Sequence, residues 1–272
     1  MSAMKLISAV KLKRAQDLLM AFRPFSDAYK ETTMSVAKRC DQELHPLLRK
    51  QDEPKKLHLV FITSDRGLCG SFNSSLIRKL ETYLVTDTKQ YDEVTFSFLG
   101  RRGRDHFGKE GRRIASSFTG ITERNYTEIS EKISGALTKE FIKGDTDEVI
   151  LVYNYFRSAL TQEITYEKIL PIEAESESED ESMIDYLYEP SKKGILNEIL
   201  PKYIEVRVQR AIQESMTSEH ASRMTAMENA TNNANDVIKK LTLQYNKTRQ
   251  AMITTELMDI VNGTEALSKG DE

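Results

Sequence analysis

Tryptophan is absent from these 272 residues, and there are only two cysteines, Cys40 and Cys69. Two cysteines that far apart make neither a disulfide framework nor a CxxC redox or zinc pair, and they point to a reducing compartment. No apolar run reaches the ~18 residues of a membrane span. Neither sign of charge dominates, and a net charge of −3 gives no general reason to expect nucleic acid. The four histidines, His45, His58, His106 and His220, lack metal-ligand spacing. There is no Gly-Lys-Ser or Gly-Lys-Thr, which excludes a phosphate loop of the NTPase type, and no recognisable nucleophile motif. The expectation is therefore a chain with no catalytic residue, no cofactor and no metal. Apolar residues are scarce at 39%, while 30% are charged, which suits much exposed helix better than a compact enzyme.

Glycine and proline are also missing where it matters. Residues 202–262 contain neither, with Pro201 before them and Gly263 after. Strong helix formers fill the stretch. As one helix it is about 90 Å long, longer than any domain this chain could form. Met224, Met227, Thr231, Ala234, Ile238, Leu241, Tyr245, Thr248 and Met252 alternate steps of three and four, the stripe of a coiled coil. The stripe is polar and small-sided for a zipper, with Asn229, Asn232, Asn233 and Asn235 around it.

A second stripe opens the chain. Leu12, Ala15, Leu19, Phe22, Ser26, Tyr29, Thr33, Val36 and Cys40 keep the same spacing, and no glycine occurs before Gly67. Pro24 is expected to kink this helix, and His45-Pro46 to end it. The first 16 residues carry Lys5, Lys11, Lys13 and Arg14 without an acid, as transit peptides do. The stripe continues straight through them, so they read as mature protein. Two striped helices at the chain ends predict an antiparallel coiled coil. Pairing them outward from the middle leaves the second helix overhanging by about 20 Å, from about Lys247 onward. A lone helix of that size is marginal in water, which calls for a surrounding partner.

The middle reads differently. Strands are expected at residues 56–64, 94–99, 149–156 and 162–172, the last antiparallel at an edge. Helices are expected at 73–84 and 126–143, with a loop at 100–103. Alternating strands and helices give a small, doubly wound, Rossmann-like α/β domain. The turn DRGLCG (65–70) offers only G-x-x-G, short of a dinucleotide fingerprint. EAESESEDE (173–181) reads as a solvated acidic loop. The expected division is 1–50 first helix, 55–195 α/β domain and 196–268 second helix.

Four stretches carry a family resemblance: MKLISAVKLKRAQ (4–16), TSDRGLCGSFN (63–73), DYLYEP (185–190), and SEHASRMTAMENATNNA through YNKTRQAMITTELMDIVNG (218–263). Together they resemble the γ subunit of the bacterial F-type ATP synthase, with a first helix shorter than the family pattern. The resemblance implies a rotor shaft inside a ring of α and β subunits, with the α/β domain on the membrane c ring beside ε. It implies that ion flow through the c ring drives the catalytic β subunits through their states, with no bond chemistry in this chain. It implies a peripheral place on the cytoplasmic face of the inner membrane.

Carried over residue by residue, Arg223 matches a contact to a β-subunit loop. Met4, Lys5 and Leu6 match the segment facing the β subunits' acidic lever, Thr255 and Glu256 the terminal bearing, and Tyr203 and Glu205 the foot near the c ring. The cysteine insert of the chloroplast type is missing, so thiol control is not expected. Two readings compete with the resemblance. One is a small α/β nucleotide-binding enzyme with helical arms, the other a homodimeric coiled-coil scaffold.

Overall fold

The computed structural model describes residues 2–173, 188, 189 and 191–268. The acidic run after Glu173 and most of DYLYEP lie outside the described residues. Two helices from the chain ends, α1 (Ser2–Lys38) and α5 (Lys192–Ser268), frame a five-stranded sheet. They run antiparallel: Lys5 meets Glu228, Arg23 meets Glu214 and Asp27 meets Arg210. The stripe of α1 lies along this contact. Leu12, Ala15, Leu19, Ser26, Thr33 and Val36 are buried, and Phe22 and Tyr29 half-buried.

Helix α1 runs through Pro24 without ending there and stops at Lys38, earlier than expected. Two 3-10 turns follow, Gln42–Leu44 and Pro46–Leu48. The His45 imidazole caps the second by accepting the Leu47 N–H at 3.2 Å. Helix α5 starts four residues before the expected 196 and reaches Ser268, the expected end. It begins at Lys192, ahead of Pro201, and continues past Gly263. Packing overrides the proline's penalty. Leu196, Leu200 and Ile204, one helical turn apart, are all 0% exposed against the sheet.

The sheet has the order β3-β2-β1-β4-β5, with β1 (Lys56–Ile62), β2 (Glu93–Leu99), β3 (Arg113–Phe118) and β4 (Glu148–Phe156) parallel. β5 (Gln162–Leu170) closes one edge antiparallel to β4. Successive side chains point to opposite faces. Leu57, Leu59 and Phe61 of β1 pack under α2 (Phe72–Thr86) and α3 (Arg101–Phe107). Val60 and Ile62 pack under α4 (Tyr126–Lys143) and α5. His58, on this second face, is buried with both ring nitrogens bonded: Nδ1 lies 2.9 Å from Glu140 and Nε2 2.8 Å from the Ser97 hydroxyl.

Two elements were not expected. α3 occupies the place of a loop, and β3 is a largely exposed edge strand. α3 depends on two glycines. Gly103 lets the helix lie on Phe61, because a Cβ there would sit 2.6 Å from its ring. Gly100 joins β2 to α3 at φ 98°, and a Cβ there would meet the Thr63 carbonyl oxygen at 2.1 Å. That carbonyl is backbone and cannot swing aside. We expect Gly100→Ala to destabilise the chain by about 2–4 kcal/mol, combining left-handed strain with the clash. Urea unfolding followed by circular dichroism checks this, and an unchanged midpoint would refute it.

Candidate functional site: a bare helical rod and the turn at its base

Helix α5 outruns its partner. Thr231 and Ala234 are the last half-buried positions, and every residue from 235 to 264 is exposed. The bare stretch is about 45 Å long. It starts a dozen residues before the expected Lys247, because α1 ends early and α5 starts early, which shifts the pairing register.

The rod is not polar. Val237, Ile238, Leu241, Leu243, Tyr245, Met252, Ile253, Leu257, Met258, Ile260 and Val261 are all large, apolar and exposed. Up to Met252 they keep mostly to one stripe. From Ile253 to Val261 they spread over roughly 160° of the circumference at 100° per residue. An apolar face that wide with nothing packed on it calls for a covering partner. The threonines are satisfied within the helix. Thr231, Thr242, Thr254 and Thr255 donate to the carbonyls of Met227, Ile238, Gln250 and Ala251 at 2.7–3.0 Å. They add polarity without needing an external partner.

At the base of the rod lies the turn after β1. Asn73 holds it from inside, accepting the Ser64 N–H at 3.0 Å and donating to the Ser64 hydroxyl at 2.7 Å. Asp65 bridges to the neighbouring loops, accepting the N–H of Arg101 at 2.9 Å and of Gly120 at 2.7 Å. Leu68 and Gly70 take left-handed backbone, φ 64° and 58°. Cys69 is buried beneath them, and that burial pushes its thiol up from the ordinary value. Arg223 of α5 grips the turn, donating to the carbonyls of Arg66 and Gly67 at 3.3–3.4 Å. It also pairs with Glu219 one turn earlier at 2.7 Å. Burial pushes the Glu219 carboxyl up, against the pull of Arg223.

A doubly wound sheet holds ligands beyond the carboxyl ends of its strands, where the strand order reverses. Here that point lies between β1 and β4, and α5 passes through it. Glu214 accepts the Phe156 N–H at 3.0 Å, Ser218 donates to the Asn154 carbonyl at 3.1 Å, and Ala221 packs on Phe156. The chain's own helix therefore fills the place where the enzyme reading needs a nucleotide.

The residues singled out from the sequence do not converge on one site. Met4 and Leu6 are exposed near the start of α1, and Lys5 between them pairs with Glu228 at 2.6 Å. Thr255 and Glu256 are exposed on the bare rod, about 40 Å along α5 from Glu228. Glu205 pairs with Lys202 at 2.6 Å low on α5. Tyr203 is 3% exposed, inside the core under the sheet. Sequence reading also missed Glu81 of α2, His106 of α3 and Glu110 of the 3-10 turn Gly108–Glu110, whose ligand atoms come within 4.8 Å of one another. The imidazole is already paired with Glu81 at 2.7 Å.

A family model described as ATP synthase matches residues 1–267. The ATP synthase gamma chain of Trichlorobacter lovleyi is 41% identical over 266 residues, covering 97% of this chain and 92% of that one. That of Geobacter metallireducens is 42% identical over 269 residues, with the same coverage. Among solved structures, a chain of the Tetrahymena thermophila mitochondrial ATP synthase central stalk and c-ring aligns with TM-score 0.62 at 23% identity, over 85% of this chain and 98% of that chain. One from the Euglena gracilis mitochondrial ATP synthase aligns with TM-score 0.61 at 21% identity, over 100% and 97%. These two show the shared fold: paired terminal helices around a small α/β sheet. With a family model across nearly the whole length and relatives above 40% identity, the chain belongs to the ATP synthase gamma chain family.

Proposed function

We propose that this chain is the rotor shaft of an F-type ATP synthase, coupling ion flow through a membrane c ring to conformational cycling of catalytic β subunits. The observation that carries the reading is the bare rod. Eleven large apolar side chains stand exposed between residues 235 and 264. Covering each is worth about 1.5–3 kcal/mol, and nothing in the described chain covers them. An α/β ring closed around the rod would.

In this reading the sheet domain is the foot, resting on the c ring beside ε at the cytoplasmic face of the bacterial membrane. Glu205 lies on the foot side of α5. Met4, Lys5 and Leu6 face the β lever, and Thr255 and Glu256 sit in the upper bearing. The seam of Ala, Asn and Thr makes the rod thin and gives the sleeve little to interlock with. Two unlike helices supply the asymmetry needed to hold three β subunits in three states.

Trypsin tests the sleeve. Lys239, Lys240, Lys247 and Arg249 all lie on the bare stretch. In the isolated chain the rod frays and is cut first. Assembled with ATP synthase α and β subunits, these sites become at least about tenfold slower to cleave, which corresponds to ~1.4 kcal/mol of protection. Equal rates in both states would sink the reading.

Arg223 provides a second test. Arg223→Ala releases the turn at residues 65–70 from the rod but leaves α5 a helix. We expect ATP-driven pumping of the coupling ion by membranes carrying it to fall relative to ATP hydrolysis, with the helicity of the isolated chain unchanged. An unaltered ratio of pumping to hydrolysis would remove Arg223 from the coupling contacts.

A further inference from the structure

At one level of the molecule three elements meet through charge. Glu214 of α5 has a fully buried side chain. Its Oε1 accepts from Arg23 Nε at 2.9 Å and its Oε2 from Arg23 Nη2 at 2.7 Å, a two-pronged fork across the helix pair. Oε2 also accepts the Phe156 N–H at the end of β4. Arg23 Nη2 donates to the Phe156 carbonyl at 2.6 Å, and its guanidinium lies over the Tyr155 ring, 4.8 Å from the centroid. One turn nearer the foot the pattern repeats. Arg210 binds Asp27 of α1, and Arg207 binds Glu167 of β5. The Tyr153 hydroxyl of β4 donates to the same Glu167 at 2.9 Å, and burial pushes its pKa far up, keeping the proton in place.

Stability alone does not account for this cluster. A buried ion pair contributes little more than apolar residues of the same volume would. Apolar packing, however, is not directional, whereas a bidentate fork holds one orientation. Glu214 projects to a radius of about 5–6 Å from the axis of α5, so a 20° twist of the helix against the sheet would move its carboxylate by about 2 Å. That displacement breaks all three of its closest hydrogen bonds.

We propose that the Arg23–Glu214 fork, seated on the end of β4, is the torsional joint that carries torque between the sheet domain and the paired helices. The two residues are positioning residues and touch no nucleotide. The inference rests on the rotor reading above and adds where in the chain the torque crosses.

The test uses the full chain in an F1 complex reconstituted with ATP synthase α and β subunits and fixed to a surface. A bead is tethered to the foot through Lys132→Cys on the exposed face of α4. Cys40 and Cys69 are buried, so the introduced thiol is the reactive one. The thermal angular variance of the bead in the paused complex reports the torsional stiffness of joint and rod. We expect Glu214→Gln and the volume-matched pair R23M/E214L to raise the variance about twofold or more, because both lose the charged fork. Leu80→Ala weakens the opposite core under α2, and we expect it to lower the denaturation midpoint while leaving the variance at the parental value. That separates a joint from mere structural support. Parental variance in Glu214→Gln, or an equal rise in Leu80→Ala, overturns the joint. The near-isosteric Gln variant decides the matter if R23M/E214L does not assemble. A parental complex that hydrolyses ATP without turning the bead overturns the rotor reading itself.

Discussion

A single buried carboxylate ties together parts of this chain that are far apart in sequence. Glu214 joins α5 to α1 through Arg23 and both helices to the sheet through the backbone of Phe156. Removing one partner of such a pair strands a charge in the interior, at a cost of about 3–5 kcal/mol. The consequence is register. With Arg23 fixed opposite Glu214, antiparallel geometry sets Lys5 opposite residue 232, one turn from the Glu228 that its long side chain reaches, and everything beyond Ala234 is uncovered. The bare rod and its length both follow from this pairing.

The seam above the joint has the opposite character. Ser8, Ala15, Ala221, Thr231 and Ala234 are small, and the threonine's hydroxyl is spent on its own helix. Small residues let two helices approach closely and make a thin rod, with less area buried per turn than Leu or Ile would give. That weakness is tolerable only if the fold is secured lower down. It is: Leu196, Leu200, Ile204, Val208 and Ile212 bury α5 against the sheet core. The chain concentrates apolar packing and buried charge beside the sheet and leaves residues 235–264 of α5 bare.

Much of this was legible in the sequence, for a definite reason. Periodicity reports which face of a long element is buried, and the α1 stripe from Leu12 to Val36 is buried or half-buried along its whole length. Strands β1 and β4 were visible as continuous apolar runs because both of their faces are covered. β3 was not, since an exposed edge strand with Ser116 and Ser117 has no such run. α3 was hidden by glycines that serve close packing on Phe61 and Thr63, a tertiary reason with no local sign. The start of α5 was placed four residues late, and packing on the sheet carries the helix back to Lys192. Arg23, Arg207, Arg210 and Glu214 were the least legible. On a helix rich in charge, a buried Arg or Glu has the same one-letter signature as a solvated one.

The sheet itself shows why fold alone was a poor guide to function. Its strand order and the turn at residues 65–70 are those of a doubly wound domain, and they made a nucleotide-binding enzyme worth weighing. What separates the two outcomes is the occupant of the crevice at the carboxyl ends of β1 and β4. In an enzyme of this architecture that crevice is open to a ligand. Here Glu214, Ser218 and Ala221 fill it, and Arg223 fastens the glycine turn across its rim. Anchoring a helix where a ligand would otherwise bind gives a connection that must break many polar contacts at once to slip, which suits a part that transmits force.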